Sequence, residues 1–248
     1  MDPAEFLGVD IPDGADDDIR REFGVHGQTL RARTRRTKLG TGHVDPPQTS
    51  AAEYAPTASI PLVNVMWRTF LVMFLARRRL RREGLLSPTA VGRITLTTLP
   101  TDIDILGHMN NGRYLSLFDL GRWDMMLRSG MFQAMNARGW YPVVSSETIT
   151  FRKSLNLWQR FVLETRFLGH DDRAVYLEHR AVVNGEVYTR AIIRARFLKK
   201  SGGIVTHEEL FGALGYPDDL PDVDPWVHDW AEASKLPSTK SEAPSVWN

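Results

Sequence analysis

The run Asp102-Ile103-Asp104-Ile105-Leu106-Gly107-His108-Met109-Asn110-Asn111-Gly112-Arg113-Tyr114-Leu115 decides the fold, because it joins two segments of different period. Upstream, Arg93-Ile-Thr-Leu-Thr-Thr-Leu99 alternates apolar and polar residues and is rich in threonine, as a half-buried strand should be. Downstream, a helix is expected from about Asn111 to Ser129, with Asn110 as its N-cap and Gly130 as its stop. Tyr114, Leu115, Leu117, Phe118, Leu120, Trp123, Met125, Met126 and Leu127 cover most of its circumference. A helix apolar nearly all round is buried nearly all round, and a sheet wrapped about a central helix provides that environment.

Four strand candidates follow. Val143 to Arg152 is threonine-rich, and Phe161 to Leu168 ends at the turn residues Gly169-His170-Asp171-Asp172. Ala174 to Val183 ends at Asn184-Gly185, a two-residue hairpin signal, and Glu186 to Leu198 alternates again. Strand, long helix, then antiparallel meander is an α+β order, unlike the βαβ repetition of a nucleotide-binding sheet. No internal repeat divides the chain.

The flanks read differently. The chain has 248 residues, 42% hydrophobic and 25% charged, with a net charge of +1, so no global field points to nucleic acid. It has no cysteine, which excludes disulfides, thiolate metal sites and a cysteine nucleophile, and fits a cytoplasmic setting. Met1 is followed by Asp2, Glu5, Asp10 and Asp13, where a signal peptide would be basic and then apolar. Residues 1–59, with a basic run from Arg31 to Lys38, are expected to form a solvated, disordered arm. Residues 60–86 hold an apolar stretch, Ile60 to Ala76, interrupted by Asn64, Arg68 and Thr69 and followed by Arg77, Arg78, Arg79, Arg81 and Arg82. It is short for a span, with Arg68 near its middle. Two readings stay open: a helix lying in a membrane interface with its arginines at headgroups, or a helix packed on the domain. Residues 87–202 are the expected core domain. Residues 203–248 are expected to give a short helix, Thr206 to Leu214, and a loosely packed tail in which Trp226 and Trp230 lie one turn apart.

Chemistry concentrates in the loop. Asp102 and Asp104 precede a helix whose first N–H groups are unpaired and partly positive. Such N–H groups can polarise a carbonyl and hold the oxyanion formed when it is attacked. A neighbouring carboxylate can serve as general base toward water or as nucleophile. Taken alone, acidic residues at a strand-to-helix joint are commonly turn formers or caps. No G-x-S-x-G elbow, phosphate loop, H-E-x-x-H or paired-cysteine metal site is present, and no cofactor or metal is expected.

The string Asp104-x-x-Gly107-His108-Met109-Asn110-Asn111-x-Arg113-Tyr114-Leu115, entering a long apolar helix after a threonine-rich strand, closely resembles the signature of hotdog-fold thioesterases. The similar branch includes 4-hydroxybenzoyl-CoA-type thioesterases, plant acyl-carrier-protein thioesterases and relatives bearing His-Met-Asn-Asn. The resemblance covers roughly Ser87 to Leu198, including Ile149-Thr-Phe-Arg-Lys153 and Tyr176-Leu-Glu-His179. It implies a hotdog fold, a homodimer or higher assembly of the family kind, and an acyl-CoA or acyl-carrier-protein thioester as substrate. By the same resemblance Asp104 falls at the catalytic carboxylate and Asn111 at the backbone N–H that polarises the carbonyl. His108 matches the plant-type histidine, but Leu106 stands where that block has asparagine, so His108 takes a supporting role. Asp102 reads as a turn residue. Arg113 is a candidate for phosphate or pantetheine contact, or a partner of Asp102 or Asp119. Tyr114, Phe118 and Met125 are candidates for lining the acyl pocket, or plain core; Arg152 and Lys153 for coenzyme A phosphates, or a solvated strand end. The competing functional reading is a non-catalytic binder of acyl chains or lipids, membrane-associated through residues 60–82. A dehydratase reading is weaker, because those enzymes set histidine and aspartate in a different local context.

Overall fold

A computed structural model describes residues 60–216, 222–238 and 241–245; the expected arm over 1–59 lies outside the described residues. Helix α1 spans Ile60–Glu83, β1 Gly92–Thr97, and a 3-10 turn covers Pro100–Asp102. The central helix α2 is Asn111–Arg128, followed by a short α3, Met131–Ala137. The meander is β2 Trp140–Phe151, β3 Arg160–Asp171, β4 Ala174–Val183 and β5 Glu186–Lys199. Two helices close the described chain, α4 His207–Leu214 and α5 Pro225–Ala233.

The strands form one antiparallel sheet in the order β1-β3-β4-β5-β2. Turn chemistry sets the register. Asn184 and Gly185 both take positive φ, 50° and 81°, which is what the two-residue β4–β5 connection requires. Register then places Ile94 opposite Leu163, Phe167 opposite Leu177 and Leu177 opposite Ile193, so one sheet face is continuously apolar. Bulges at Val144/Ser146, Phe167/Gly169 and Ala181/Val182 shift that register locally and increase strand bend. This is the hotdog arrangement, a five-stranded antiparallel sheet around a long helix.

Helix α2 begins where Asn110 Oδ1 accepts from the Gly112 N–H at 2.9 Å and ends before Gly130, whose φ is 77°. Its side chains Tyr114, Leu117, Phe118 and Leu120 are 2% exposed or less. Gly121 lies so close to β3 that a Cβ there would fall 2.2 Å from Thr165 Oγ1. The sheet covers only one side of α2. The other side is covered by α1, through Val72, Met73 and Ala76, which explains how Asp124 and Arg128 on the far face are also buried. Those two pair with each other at 3.5 Å, and further with Arg79 and Glu83 of α1.

The expected loose tail does not extend over 223–233. Helix α5 docks on the outer sheet face, burying Val223, Val227 and Ala231 against Tyr176 and Ile192. Val227 and Ala231 are one helical turn apart, so the helix has one apolar stripe to bury despite its polar composition. Trp226 stays half-exposed, with the Arg190 guanidinium 5.6 Å from its ring, and Trp230 leans on the apolar cluster. Nearby, Asp171 accepts from Tyr176 at 2.7 Å and Arg194 at 2.8 Å. Burial works against the Asp171 charge, but these bonds win and hold its carboxyl down at about 2.

Candidate functional site

The loop between β1 and α2 is tied at each end. Ile103 bridges Met109, the Asp104 N–H donates to the His108 carbonyl at 2.9 Å, and the Gly107 N–H donates back to the Asp104 carbonyl at 3.0 Å. Gly107 takes φ 78°, a conformation that glycine alone adopts without strain, and this closes the tight turn 104–107. A second loop, between β2 and β3, braces the first. Met109 N–H donates to the Leu155 carbonyl at 2.8 Å, and His108 bridges Asn156. Leu155 N–H in turn donates to the Tyr114 hydroxyl at 3.1 Å.

The two aspartates of this loop have different surroundings. Asp102 is fully buried. It takes Arg68 Nη1 at 2.9 Å, Arg113 Nη2 at 3.0 Å and the Leu99 N–H at 2.9 Å. Arg68 also donates to the Thr97 carbonyl, so one α1 side chain holds both the end of β1 and the start of the loop. Asp104 is half-buried and forms no ion pair among the described residues. Its Oδ1 accepts the Leu106 N–H at 2.9 Å. At the head of α2, Asn110 takes the Gly112 N–H with its side chain and the Arg113 N–H with its carbonyl. The Asn111 N–H has no acceptor among the described residues, and Asn111 is exposed. A carboxylate and an unclaimed, partly positive helix N–H thus sit on one pinned loop.

The other candidates fall into four groups. His108 is exposed at the same loop and holds it through its backbone. Arg113 is committed to Asp102. Tyr114 and Phe118 lie in the hydrophobic core, where Phe118 stacks on His179 with ring centroids 5.3 Å apart. Burial holds the Tyr114 hydroxyl above its usual range. Arg152 and Lys153, at the start of the bracing loop, both reach Glu186 at 2.7 Å on the exposed end of the β2–β5 pair.

Some neighbours carry no signal in the sequence. Ile105 and Leu106 at the loop tip are 101% and 75% exposed, and Leu157 and Trp158 on the bracing loop are 42% and 60% exposed. Trp158 has φ 62°, a left-handed backbone that bulky residues rarely adopt. An apolar cavity among the described residues lies elsewhere. About 200 Å³ in volume, it is lined by Met125, Met126, Phe167, Leu177, Ala195 and Phe197, with Asp119 and Arg122 beside it. From Asn111 to Arg122 is eleven residues, about 16 Å along a helix, so cavity and loop lie toward opposite ends of α2. Glu147 of β2 approaches Arg122 Nη1 at 3.6 Å, and burial raises its carboxyl above the usual range.

Comparison with known proteins places this geometry in a family. The chain is similar to Protein THEM6 of Xenopus laevis, 44% identical over 98 residues, which is 40% of this chain and 47% of that protein. It is similar to Protein THEM6 of Danio rerio, 36% identical over 115 residues, or 46% of this chain and 55% of that one. The chain therefore spans about half the length of the curated relatives it matches. Among solved structures it resembles the YbaW probable thioesterase from Escherichia coli, at 24% identity and a TM-score of 0.47, covering 49% of this chain and 95% of that one. The family model described as the thioesterase-like superfamily matches residues 98–231, more than half of the chain and the whole of the loop, α2 and the meander, and the chain belongs to that superfamily.

Proposed function

We propose that the protein hydrolyses an acyl thioester, carried by coenzyme A or an acyl-carrier protein, at the loop 104–111. The observation that carries this reading is the pairing, on one pinned loop, of the Asp104 carboxylate with the acceptor-free Asn111 N–H. Water attacks the thioester carbonyl carbon, and Asp104 takes the proton that the water gives up. The carbonyl oxygen gains negative charge and is held by the Asn111 N–H at the positive end of α2. The tetrahedral intermediate collapses, the C–S bond breaks, and the proton passes to the departing sulfur. A direct attack by Asp104 on the carbonyl, followed by hydrolysis of the anhydride, uses the same two groups. Ile105, Leu106 and Trp158 supply apolar surface around the carboxylate for the acyl group. The long outer edge of β2, with Val144 and Phe151 exposed, suits pairing with a second copy.

Asp104→Asn is the discriminating substitution. Asparagine keeps the Oδ1 that accepts the Leu106 N–H, so the turn stays, while the base is lost. Thiol release from a panel of acyl-CoA lengths should fall by about two or more orders of magnitude, with unfolding temperature unchanged. Wild-type turnover in Asp104→Asn would defeat the reading. A second reading, a non-catalytic acyl binder, is favoured by the same bond, since it gives Asp104 a structural use. That reading predicts acyl-CoA binding without turnover in the wild type.

A further inference from the structure

Helix α1 has two apolar faces. One packs on the domain, with Val72, Met73 and Ala76 buried and Arg68 turned inward to Asp102. The other carries Met66, Trp67, Leu71, Phe74 and Leu75, which are 41%, 69%, 48%, 58% and 43% exposed. At about 100° per residue Trp67, Leu71 and Phe74 fall on the side opposite the buried set, and Met66 and Leu75 fall at its two margins. The strip runs from 66 to 75, about 15 Å, and ends at Arg77, Arg78, Arg81 and Arg82, which are all exposed. None of these four arginines forms an ion pair among the described residues. The helix has no carboxylate before Glu83, and Glu83 turns to Arg128. Leu75, Arg78, Arg79, Arg82 and Glu83 line a recess at this end.

We infer that this face of α1 lies on an anionic lipid bilayer, with the 66–75 strip at the acyl boundary and the four arginines at headgroup phosphates. An exposed strip of large apolar side chains signals a contact surface. The cluster of cations at its end, without acidic neighbours, says which one. No described helix is long and apolar enough to cross a membrane, which fits a helix lying in the interface. A second copy fits less well. A two-fold axis would set the four arginines against themselves or against the apolar start of the same helix, and neither offers counter-charge. A dimer formed through β2 would leave α1 uncovered, because α1 packs beside β1 and α2 at the far edge of the sheet.

The test is cosedimentation of the full chain with phosphatidylcholine vesicles, with and without phosphatidylglycerol. The wild type should partition to the anionic vesicles and be released by salt. Replacing Arg77, Arg78, Arg81 and Arg82 together by Gln should lower partitioning by about two to three orders of magnitude. Trp67→Glu with Phe74→Glu should abolish it without lowering unfolding temperature, since both side chains are exposed. Wild type that stays in the supernatant at low salt overturns the inference. So does equal binding by the Trp67→Glu, Phe74→Glu variant. So does a wild type whose mass in sedimentation velocity falls on that substitution while no vesicle binds it, which would mark a self-association face. Turnover of a soluble short-chain acyl-CoA by these variants reads the proposed hydrolysis independently, so one reading can fail without the other.

Discussion

Asp102→Asn removes one charge from the most enclosed point of the loop and changes almost no volume. Asp102 is 0% exposed, and the side chains of Arg68 and Arg113 that hold it are 11% and 15% exposed. The substitution leaves two guanidinium groups facing an amide that keeps one acceptor and turns donors toward them. Losing one partner of a buried ion pair costs about 3–5 kcal/mol. The low end applies, about 3 kcal/mol, because Arg68 keeps its bond to the Thr97 carbonyl and Asn keeps one acceptor oxygen. For a domain of this size, that lowers the unfolding temperature by roughly 6–12 °C. Calorimetry and urea unfolding of Asp102→Asn, Arg68→Met and the double variant form a cycle. The double variant should recover part of the loss, since the stranded charge of Arg68 is gone. The loss should also persist at high salt, which screens exposed charges and spares buried ones. Asp102→Asn within about 0.5 kcal/mol of wild type, or strictly additive single variants, would refute the argument that this carboxylate and Arg68 lock the loop.

Gly121→Ala should destabilise by about 1–3 kcal/mol in chemical denaturation, because the added methyl meets Thr165 Oγ1. That outweighs alanine's better helix propensity, about 1 kcal/mol. Burial, with the Arg122 charge nearby, holds the His179 imidazole well below its usual range. The folded state thus keeps His179 neutral, and below about pH 6.5 only the unfolded chain takes the proton. This contribution is complete above that pH and is lost as pH falls. The unfolding temperature should drop between about pH 6.5 and pH 5, and His179→Asn should flatten that slope; an unchanged slope would remove His179 as its cause. Val227→Asp puts a charge where Val227 is fully buried under α5 and should cost several kcal/mol, about 2–4, in urea unfolding. Wild-type stability there would mean that α5 does not dock.

The strand, central helix and meander were legible because each rests on local rules. Alternation marked β1 and β5, Asn110 marked the start of α2, and Asn184-Gly185 fixed the last hairpin. The structure differs in that α2 is covered on two sides, by the sheet and by α1, and keeps a stripe at Leu115, Asp119, Trp123 and Met126 that is half-buried or exposed. Position 68 lies 34 residues from its partner, Asp102, and no periodicity distinguishes an arginine facing inward from one in a polar stripe. In α5 a local signal did exist, Asp224 and Pro225 opening a helix with Val227 and Ala231 one turn apart. The acidic, proline-rich composition around it outweighed four residues of pattern. In the candidate site, the spacing of Asp104 and Asn111 was legible. The exposure of Ile105, Leu106 and Trp158 was not, since apolar residues in a loop read equally as core.

The D-x-D pair at 102 and 104 shows why the two carboxylates cannot share a role. Two guanidinium groups and a backbone N–H hold Asp102 by charge-assisted bonds in a fully buried position. Such a carboxylate is an anchor. Asp104 is half-buried, with one backbone N–H on one oxygen and no ion pair among the described residues. The proposed hydrolysis therefore gives the base role to Asp104, whose use leaves the ion pairs of Asp102 in place. The anchor makes the base usable, because the Asn110 N–H bonds the Asp102 carbonyl and so fixes where the helix, and the Asn111 N–H with it, begins. In the proposed hydrolysis, then, Arg68 acts at second hand. It should alter turnover through loop position, shifting kcat more than KM, while Asp104 removes turnover outright.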